Sequence, residues 1–275
     1  LQGSGGQRPG GNPFMKWAGE AEAAIHKVPF FIRKKVIQKV EDHVGRKGKA
    51  WVELSDVEEL KKKFLSKGGM EKEIKGYEIA SCFGGSGCPN SANSVTQLAA
   101  DMEKIFETEN LLGFLKSTVK GDLKFHHEFR VSLSECPNAC SRPQIADIGI
   151  IGAVLPGICG EACSLCGTCV ETCDERAIEL DEKNQRPIIH DALCLKCAKC
   201  IRVCPTGTLT EKQKGYRVML GGRLGRHPRL AMEVPGIHSH DQVLEILKNC
   251  LKFYKKTSKN GERFSHLFSS IDQIL

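Results

Sequence analysis

Cysteine spacing constrains this chain more than any other feature. Of 14 cysteines in 275 residues, thirteen lie between Cys82 and Cys204, and twelve of those form three sets of four. Cys163, Cys166, Cys169 and Cys173 read C-x2-C-x2-C-x3-C, and Cys194, Cys197, Cys200 and Cys204 repeat the pattern. The third set is split, with Cys82 and Cys88 as C-x5-C and Cys136 and Cys140 as C-x3-C. Spacings this tight suit thiolates converging on metal better than a disulfide framework, which belongs to short secreted chains. Zinc also uses C-x2-C pairs, but its sites rarely add a third and a fourth cysteine at x2 and x3. Three four-iron clusters would use all twelve thiolates. A redox role and a reducing, cytoplasmic location are therefore expected.

The remaining composition is that of an ordinary globular protein, 40% hydrophobic and long enough for one or two domains with a real core. No apolar run approaches the roughly 20 residues that span a bilayer, and no secretory leader pattern is visible. Residues 1–14 open with Gly and Gln and few apolar side chains, and are expected to be disordered or tag-like. The net charge is +7, with basic clusters at Arg33–Lys35, Lys61–Lys63, Arg217–Arg229 and Lys252–Lys259. Lysine runs suit solvated helix faces. Only Arg217–Arg229 mixes its charges with glycines, which suits an anionic substrate or a polycarboxylate cofactor better than nucleic acid.

Periodicity places the elements coarsely. Ala21, Ala24, Ile25 and Val28 mark one helix face, and Ile32, Val36, Ile37, Val40 and Val44 a second helix, with Pro29 in its first turn. A helix is expected over about 55–65, a short strand over 77–80 leading into Cys82, and a helix over 94–109. Phe129, Val131 and Leu133 alternate within a strand spanning 125–133 that delivers the chain to Cys136. Further strands are expected over 145–154 and 216–220, a hairpin over 175–188, and two closing helices over 240–256 and 261–275. Cys250 falls with Val243, Leu247, Leu251 and Tyr254 at helical spacing and reads as a buried small hydrophobe.

The segments "CSLCGTCVETCDERAIEL" and "CLKCAKCIRVCPTGTL" resemble the two halves of bacterial two-cluster ferredoxins. In those proteins the fourth cysteine of each run ligates the other cluster. The resemblance implies Cys163, Cys166, Cys169 and Cys204 on one cluster, and Cys194, Cys197, Cys200 and Cys173 on the other. Pro205 follows Cys204 as that pattern has it, but Asp174 stands after Cys173, a departure that can tune potential or exposure.

The split set sits in text that resembles the sirohaem sulfite and nitrite reductases: "SCFGGSGCPNSA", "FRVSLSECPNACSRPQIADIGIIG" and then "GYRVMLGGRLGRHPRLA". The resemblance covers about 76–155 and 215–275. It implies a four-iron cluster on Cys82, Cys88, Cys136 and Cys140, with Cys140 also bridging to the sirohaem iron. Sirohaem is a polycarboxylate, so its pocket must be cationic. Arg223, Arg226 and Arg229 are candidate partners, backed by Arg130 and Arg142, because guanidinium binds carboxylate as a fork and stays charged. Gly221, Gly222 and Gly225 would let the backbone approach the cofactor. Where such reductases carry Lys-Phe-Lys, this chain has Glu128-Phe129-Arg130. Arg130 keeps one charge, while Glu128 would repel an anion unless protonated or paired. His126 and His127 just before it are candidate proton donors.

"WAGEAEAAIHKVPFFIRKKVIQKVEDHV" resembles a small helical domain attached to a light-independent protochlorophyllide reductase subunit. The resemblances together imply an α+β sirohaem and [4Fe-4S] sulfite reductase-like domain in two parts, 71–155 and 211–275. A two-cluster ferredoxin-like domain is inserted at 156–210, and a helical domain precedes at 15–70. The implied activity is six-electron reduction of sulfite to sulfide, with electrons entering through the ferredoxin-like clusters. Nitrite reduction on the same scaffold and a non-catalytic electron-transfer subunit are the alternatives. A single sirohaem-fold repeat implies a homodimer or a partner subunit, besides a redox protein as electron donor. Cys159 lies outside the sets and reads as a spare thiol.

Overall fold

The computed structural model describes residues 15–28, 30–66 and 74–275. The expectations for residues 1–14 and for Pro29 lie outside them. The chain divides into two compact units, Leu1–Glu73 and Ile74–Leu275. In the first, α1 (Gly19–His26), α2 (Phe30–Arg46) and α3 (Leu54–Ser66) join a minimal parallel pairing of β1 (Lys16–Trp17) with β2 (Trp51–Val52). Their apolar stripes close a small core of Trp17, Ala21, Ile25, Ile37, Val40, Val44 and Val52, and the Trp17 indole N–H donates to the buried Glu41 at 3.1 Å.

The second unit is organised by a five-stranded sheet. It is built from β3 (Tyr77–Ser81), β4 (Phe129–Ser134), β5 (Ile148–Ile158), β8 (Leu209–Leu220) and β9 (Met232–His238), in that order. β3, β4 and β5 run parallel, and β8 and β9 return antiparallel. Strand alternation sends Phe129, Val131 and Leu133 of β4 to one face. There they meet α4 (Thr96–Thr108), α5 (Leu111–Thr118), α8 (His240–Thr257) and α9 (Phe264–Leu267) in one core. Phe129 is 1% exposed, with ring centroids of Phe106, Tyr254 and Phe264 at 5.9, 5.5 and 5.3 Å. Burying such a side chain contributes roughly 1.5–3 kcal/mol. Cys250, wholly buried in this core, is the packed hydrophobe its spacing predicted.

β5 and β8 stay paired well past the sheet, to Ile158 opposite Leu209, with a bulge at Leu155/Pro156 where proline has no N–H to give. This ribbon is a stalk carrying the second cysteine-rich segment. That segment holds α6 (Thr168–Glu171), α7 (Lys199–Val203) and the hairpin of β6 (Ile178–Asp181) with β7 (Arg186–Ile189).

Several expected bounds change. Phe125–His127 forms a 3-10 turn, so β4 starts only at Phe129. The closing helix expected over 261–275 is limited to α9 and a 3-10 turn at Ile271–Gln273, with Phe268 extended between them at φ −75° and ψ 127°. β9 and α5 were not anticipated: Pro235 and Gly236 mask the strand, and Gly113 the helix. Among the described residues, no helix is long and apolar enough to cross a membrane.

Candidate metal and cofactor centre

The parallel pairing of β3 and β4 sets the split cysteines side by side. Each strand ends at a ligand loop: Cys82 follows Ser81, and Cys136 follows Ser134 by one residue. The Cys82 N–H donates to the Leu133 carbonyl at 2.9 Å, and the Glu135 N–H donates to Cys82 Sγ at 3.3 Å. A 3-10 turn over Phe83–Ser86, closed by Gly87 at φ 94°, brings Cys88 back. Cys136 is buried, Cys82 and Cys88 half-buried, and Cys140 exposed. Burial pushes the Cys136 thiol up. The neighbouring thiols of Cys88, Cys140 and Cys82 add to this, against a pull from the Asn138 N–H, so the four side chains share one electrostatic neighbourhood.

The loop from Glu135 to Asp147 must run back along β4, because β5 starts parallel to it. Three serines brace it. Ser132 Oγ donates to the Ser141 carbonyl at 2.6 Å, Ser141 Oγ donates to the Leu133 carbonyl at 2.7 Å, and the Ser134 and Ser141 hydroxyls lie 2.7 Å apart. Cys140 is thereby held over the polar face of β4, which also carries Arg130. The loop turns through two non-glycine residues in the left-handed region, Ala139 at φ 52° and Arg142 at φ 62°. Such residues cost of order 1–3 kcal/mol each and cluster at functional sites.

In the inserted segment, the two repeats fold alike. Leu165 and Lys196 are left-handed, at φ 55° and 62°, and so are Gly167 and Ala198, at 79° and 64°. The Leu165 and Lys196 N–H groups each donate to the first cysteine of their own run, Cys163 and Cys194, at 3.4 Å. Cys163, Cys166, Cys169 and Cys204 line one small cavity. Cys173 belongs with the other run. Burial first, then Cys197 and Cys194, with Cys173 behind them, push the Cys200 thiol up to about 12. The fold thus brings together the crossed groups of four that the ferredoxin resemblance implies. Lys199 Nζ pairs with Asp174, the residue standing where the pattern has proline, at 2.6 Å. All 14 cysteines are unpaired with one another. Among the described residues, no three His, Cys, Asp or Glu side chains close on a single point as a lone ion would require.

The second run also touches the split set. Cys136, Ala92, Val154 and Ala198 share one small apolar core, with Ile201 against it. The Val154 N–H donates to the Lys196 carbonyl at 2.8 Å, and Arg202 Nη1 donates to the Ser91 carbonyl at 3.1 Å. The first run, with its cavity, has no such contact with Cys136 among those described. Cys159 stays at the stalk, its thiol donating to the Gly207 carbonyl at 3.2 Å.

The expected cationic side chains divide in two. Arg229 Nη2 donates to the carbonyls of Gly221, Ser265 and Phe268 at 2.8, 2.8 and 2.9 Å, and Nε to Gly221 at 3.1 Å. Arg223 donates to the Ser265 and His227 carbonyls at 2.6 and 2.9 Å. Both spend much of their donor capacity tying this hairpin to the end of α9. Gly221 and Gly222 are needed by the chain itself. A Cβ on Gly221 would meet Phe268 at 2.2 Å, and one on Gly222 would meet the Gln144 carbonyl at 2.4 Å. The reason assigned to these two glycines, room for a cofactor, is therefore corrected: protein atoms fill that room. Arg226 and Arg142 remain exposed. The hairpin that carries Arg226 is fixed to the Cys140 loop, where the Ala231 N–H donates to the Gln144 carbonyl at 2.8 Å.

Arg130 is half-buried and pairs with Glu78 at 3.2 Å. Glu128 does not stand in an anion site. It is 7% exposed, accepts the Lys75 N–H at 3.0 Å, and has its carboxyl pushed up by burial, partly opposed by that bond and by Gly76. His127 Nδ1 accepts the Lys124 N–H at 3.0 Å, and its ring meets His126 at 4.2 Å. Both histidines precede β4 while Cys136 follows it, and six extended residues span about 16 Å.

Two residues with structural authority over the site were not anticipated. Ser141 anchors the Cys140 loop. Asp147, 1% exposed, accepts the N–H groups of Arg130 and Ser265 at 3.0 and 3.1 Å and pairs with Arg263 at 3.3 Å, fixing three segments at once. A buried aspartate in "ADIGIIG" between two strand signals was the available clue.

Two family models match the chain. The family model described as nitrite and sulphite reductase 4Fe-4S domain matches residues 77–272. That described as proto-chlorophyllide reductase 57 kD subunit matches residues 17–61. The chain is 29% identical over 211 residues to coenzyme F420-dependent sulfite reductase of Methanocaldococcus jannaschii, covering 76% of this chain and 31% of that protein. It is 27% identical over 227 residues to one subunit of the anaerobic sulfite reductase of Salmonella typhimurium, covering 81% and 60%. The chain thus spans less than two thirds of either relative. A solved dissimilatory sulfite reductase I superposes over 82% of this chain and 60% of that one, with TM-score 0.48 and 16% identity.

Proposed function

The chain belongs to the nitrite and sulphite reductase 4Fe-4S domain family, and from that premise we propose that it binds three [4Fe-4S] clusters and sirohaem and reduces sulfite to sulfide in a six-electron reaction. One observation carries the reading furthest: the second cysteine run of the insert packs on Cys136 through Ala198 and Val154. A wire built this way has an order. The set of Cys163, Cys166, Cys169 and Cys204 is the outer station, that of Cys173, Cys194, Cys197 and Cys200 the inner one, and the split set is the terminus.

The donor chemistry fits. Four thiols in each neighbourhood match the ligand number of a four-iron cluster, and backbone N–H groups already point at Cys82, Cys163 and Cys194. The fit to sirohaem rests on fewer groups than its resemblance implies. Exposed Arg142 and Arg226 flank the loop of exposed Cys140 and would meet carboxylates, with Arg223 and Arg229 holding the hairpin in place behind them. When bound, the sirohaem and its adjoining cluster would supply the redox chemistry, passing the donor's electrons to the anion. The protein's own part is to hold Cys140 outward through the Ser132–Ser134–Ser141 brace, and to keep cationic side chains beside it. Arg130, on the same strand face, would offset the charge of the substrate. The position of His127 before β4 favours solvent at the exposed Cys140 loop as the proton source.

Sulfite is preferred to nitrite because the names of both relatives specify it. A cytoplasmic location, a protein electron donor at the outer set, and a second copy or partner subunit belong to the same proposal. The use of Arg223, Arg229, Gly221 and Gly222 within the fold favours the second reading, an electron-transfer subunit without sirohaem. Anaerobically reconstituted protein supplied with a reduced viologen dye should form sulfide from sulfite, faster than ammonia from nitrite. Dye oxidation with neither product would leave the second reading.

A further inference from the structure

Building on the reading that Cys82, Cys88, Cys136 and Cys140 hold a cluster, a further residue of that site can be assigned. Glu135 is only 2% exposed and lies between the two ligand loops. Among the described residues, no basic side chain forms an ion pair with it. Burying a carboxylate without a cation is expensive, so the contacts made at this position must offset that cost.

Its main chain and side chain act on different segments. The N–H donates to Cys82 Sγ at 3.3 Å, and the carbonyl accepts from Ala92 at 2.8 Å and Asn93 at 3.1 Å, just beyond Cys88. The carboxylate turns the other way. Oε1 accepts the Val95 N–H at 3.3 Å, where α4 begins. Oε2 occupies the space over Gly84, where a Cβ would lie 2.5 Å from it, and a Cβ on Gly85 would lie 3.8 Å from Oε1. Gly84 in the C-x5-C loop thus makes room for this side chain, and the side chain sets the height of that loop above Cys136.

We propose that Glu135 is a positioning residue for the cluster of the split set: its carboxyl group clasps the Cys82–Cys88 loop to Cys136 and thereby holds the Glu135 N–H on Cys82 Sγ. N–H bonds to sulfur are among the levers by which a protein sets a cluster potential.

The test uses the full chain with its clusters reconstituted. Glu135→Gln keeps the size and the acceptor for Val95, and should hold wild-type iron and the wild-type potential of the split set. Glu135→Ala opens the space over Gly84, and should lose that cluster to a chelator at least about tenfold faster and shift its reduced-cluster electron paramagnetic resonance signal, with the other two clusters unmoved. Wild-type chelator resistance in Glu135→Ala, or loss as fast in Glu135→Gln, overturns the assignment. If wild-type protein binds only about eight irons and Cys136→Ser loses none of them, the ligand reading beneath it fails instead.

Discussion

The inserted segment and the split set assemble thiols by opposite means. In the insert, each run of cysteines is shaped by its own turns, with paired left-handed positions at Leu165/Gly167 and Lys196/Ala198. Only one cysteine per run must come from elsewhere. In the split set only each pair is local, and the two pairs must be brought together. Cys82 and Cys136 meet because β3 pairs with β4, and Cys140 holds its place because Ser141 is bonded to β4. A site made from turns depends on a few residues of sequence; a site made from strand ends depends on the whole core behind them.

That contrast breaks most readily through the core. Phe129→Ala removes a fully buried ring on the face of β4 opposite the serines, and should cost about 3–5 kcal/mol in denaturant unfolding. It should labilise the split-set cluster while the insert keeps both of its own. Loss of the insert clusters first would refute the distinction. Ser141→Ala should come next, at about 0.5–1.5 kcal/mol, because it removes one bond from the Leu133 carbonyl, which keeps the Cys82 N–H, and one from the Ser134 hydroxyl. Its effect on iron retention should again be confined to the split set.

Glu128 gives a pH test. Burial raises its carboxyl above the ordinary range, so the protonated form fits the fold better. Its contribution to stability is fully present below the unfolded carboxyl value and is lost as pH rises through the raised one. Glu128→Gln should therefore gain stability at pH 7 and nothing near pH 3, steepening the acid limb of the stability curve. A loss at neutral pH would mean that the charge is needed. The smallest effect is expected at the exposed Asp174–Lys199 pair, where Asp174→Asn should change stability by less than about 0.5 kcal/mol.

The same contrast explains what could be read in advance. The two runs of the insert were legible because each repeat is local, while their crossed grouping was only implied by the ferredoxin resemblance. The strand leading to Cys136 was legible from alternation at Phe129, Val131 and Leu133. The cationic wall was not, since which arginine meets solvent depends on tertiary carbonyls. Arg229 is drawn inward by Gly221, Ser265 and Phe268, while Arg226, two residues along from Leu224, stays out. Glu128 read as a threat to anion binding and turned out to cap the Lys75 backbone, a contact across a sequence gap that no local pattern announces. The end of the chain misled for a related reason: Phe268 is extended after α9, and Arg229 takes its carbonyl where composition alone would continue a helix.

The most direct test of the account is an absorption spectrum of the reconstituted chain, taken with an iron and sirohaem count. Three four-iron centres and a haem-type chromophore predict about twelve cluster irons plus the sirohaem iron, with resolved sirohaem bands over the broad iron–sulfur absorption. Zinc in place of iron, or about eight irons with no haem bands, would contradict the central claim that the split set is a third cluster coupled to sirohaem.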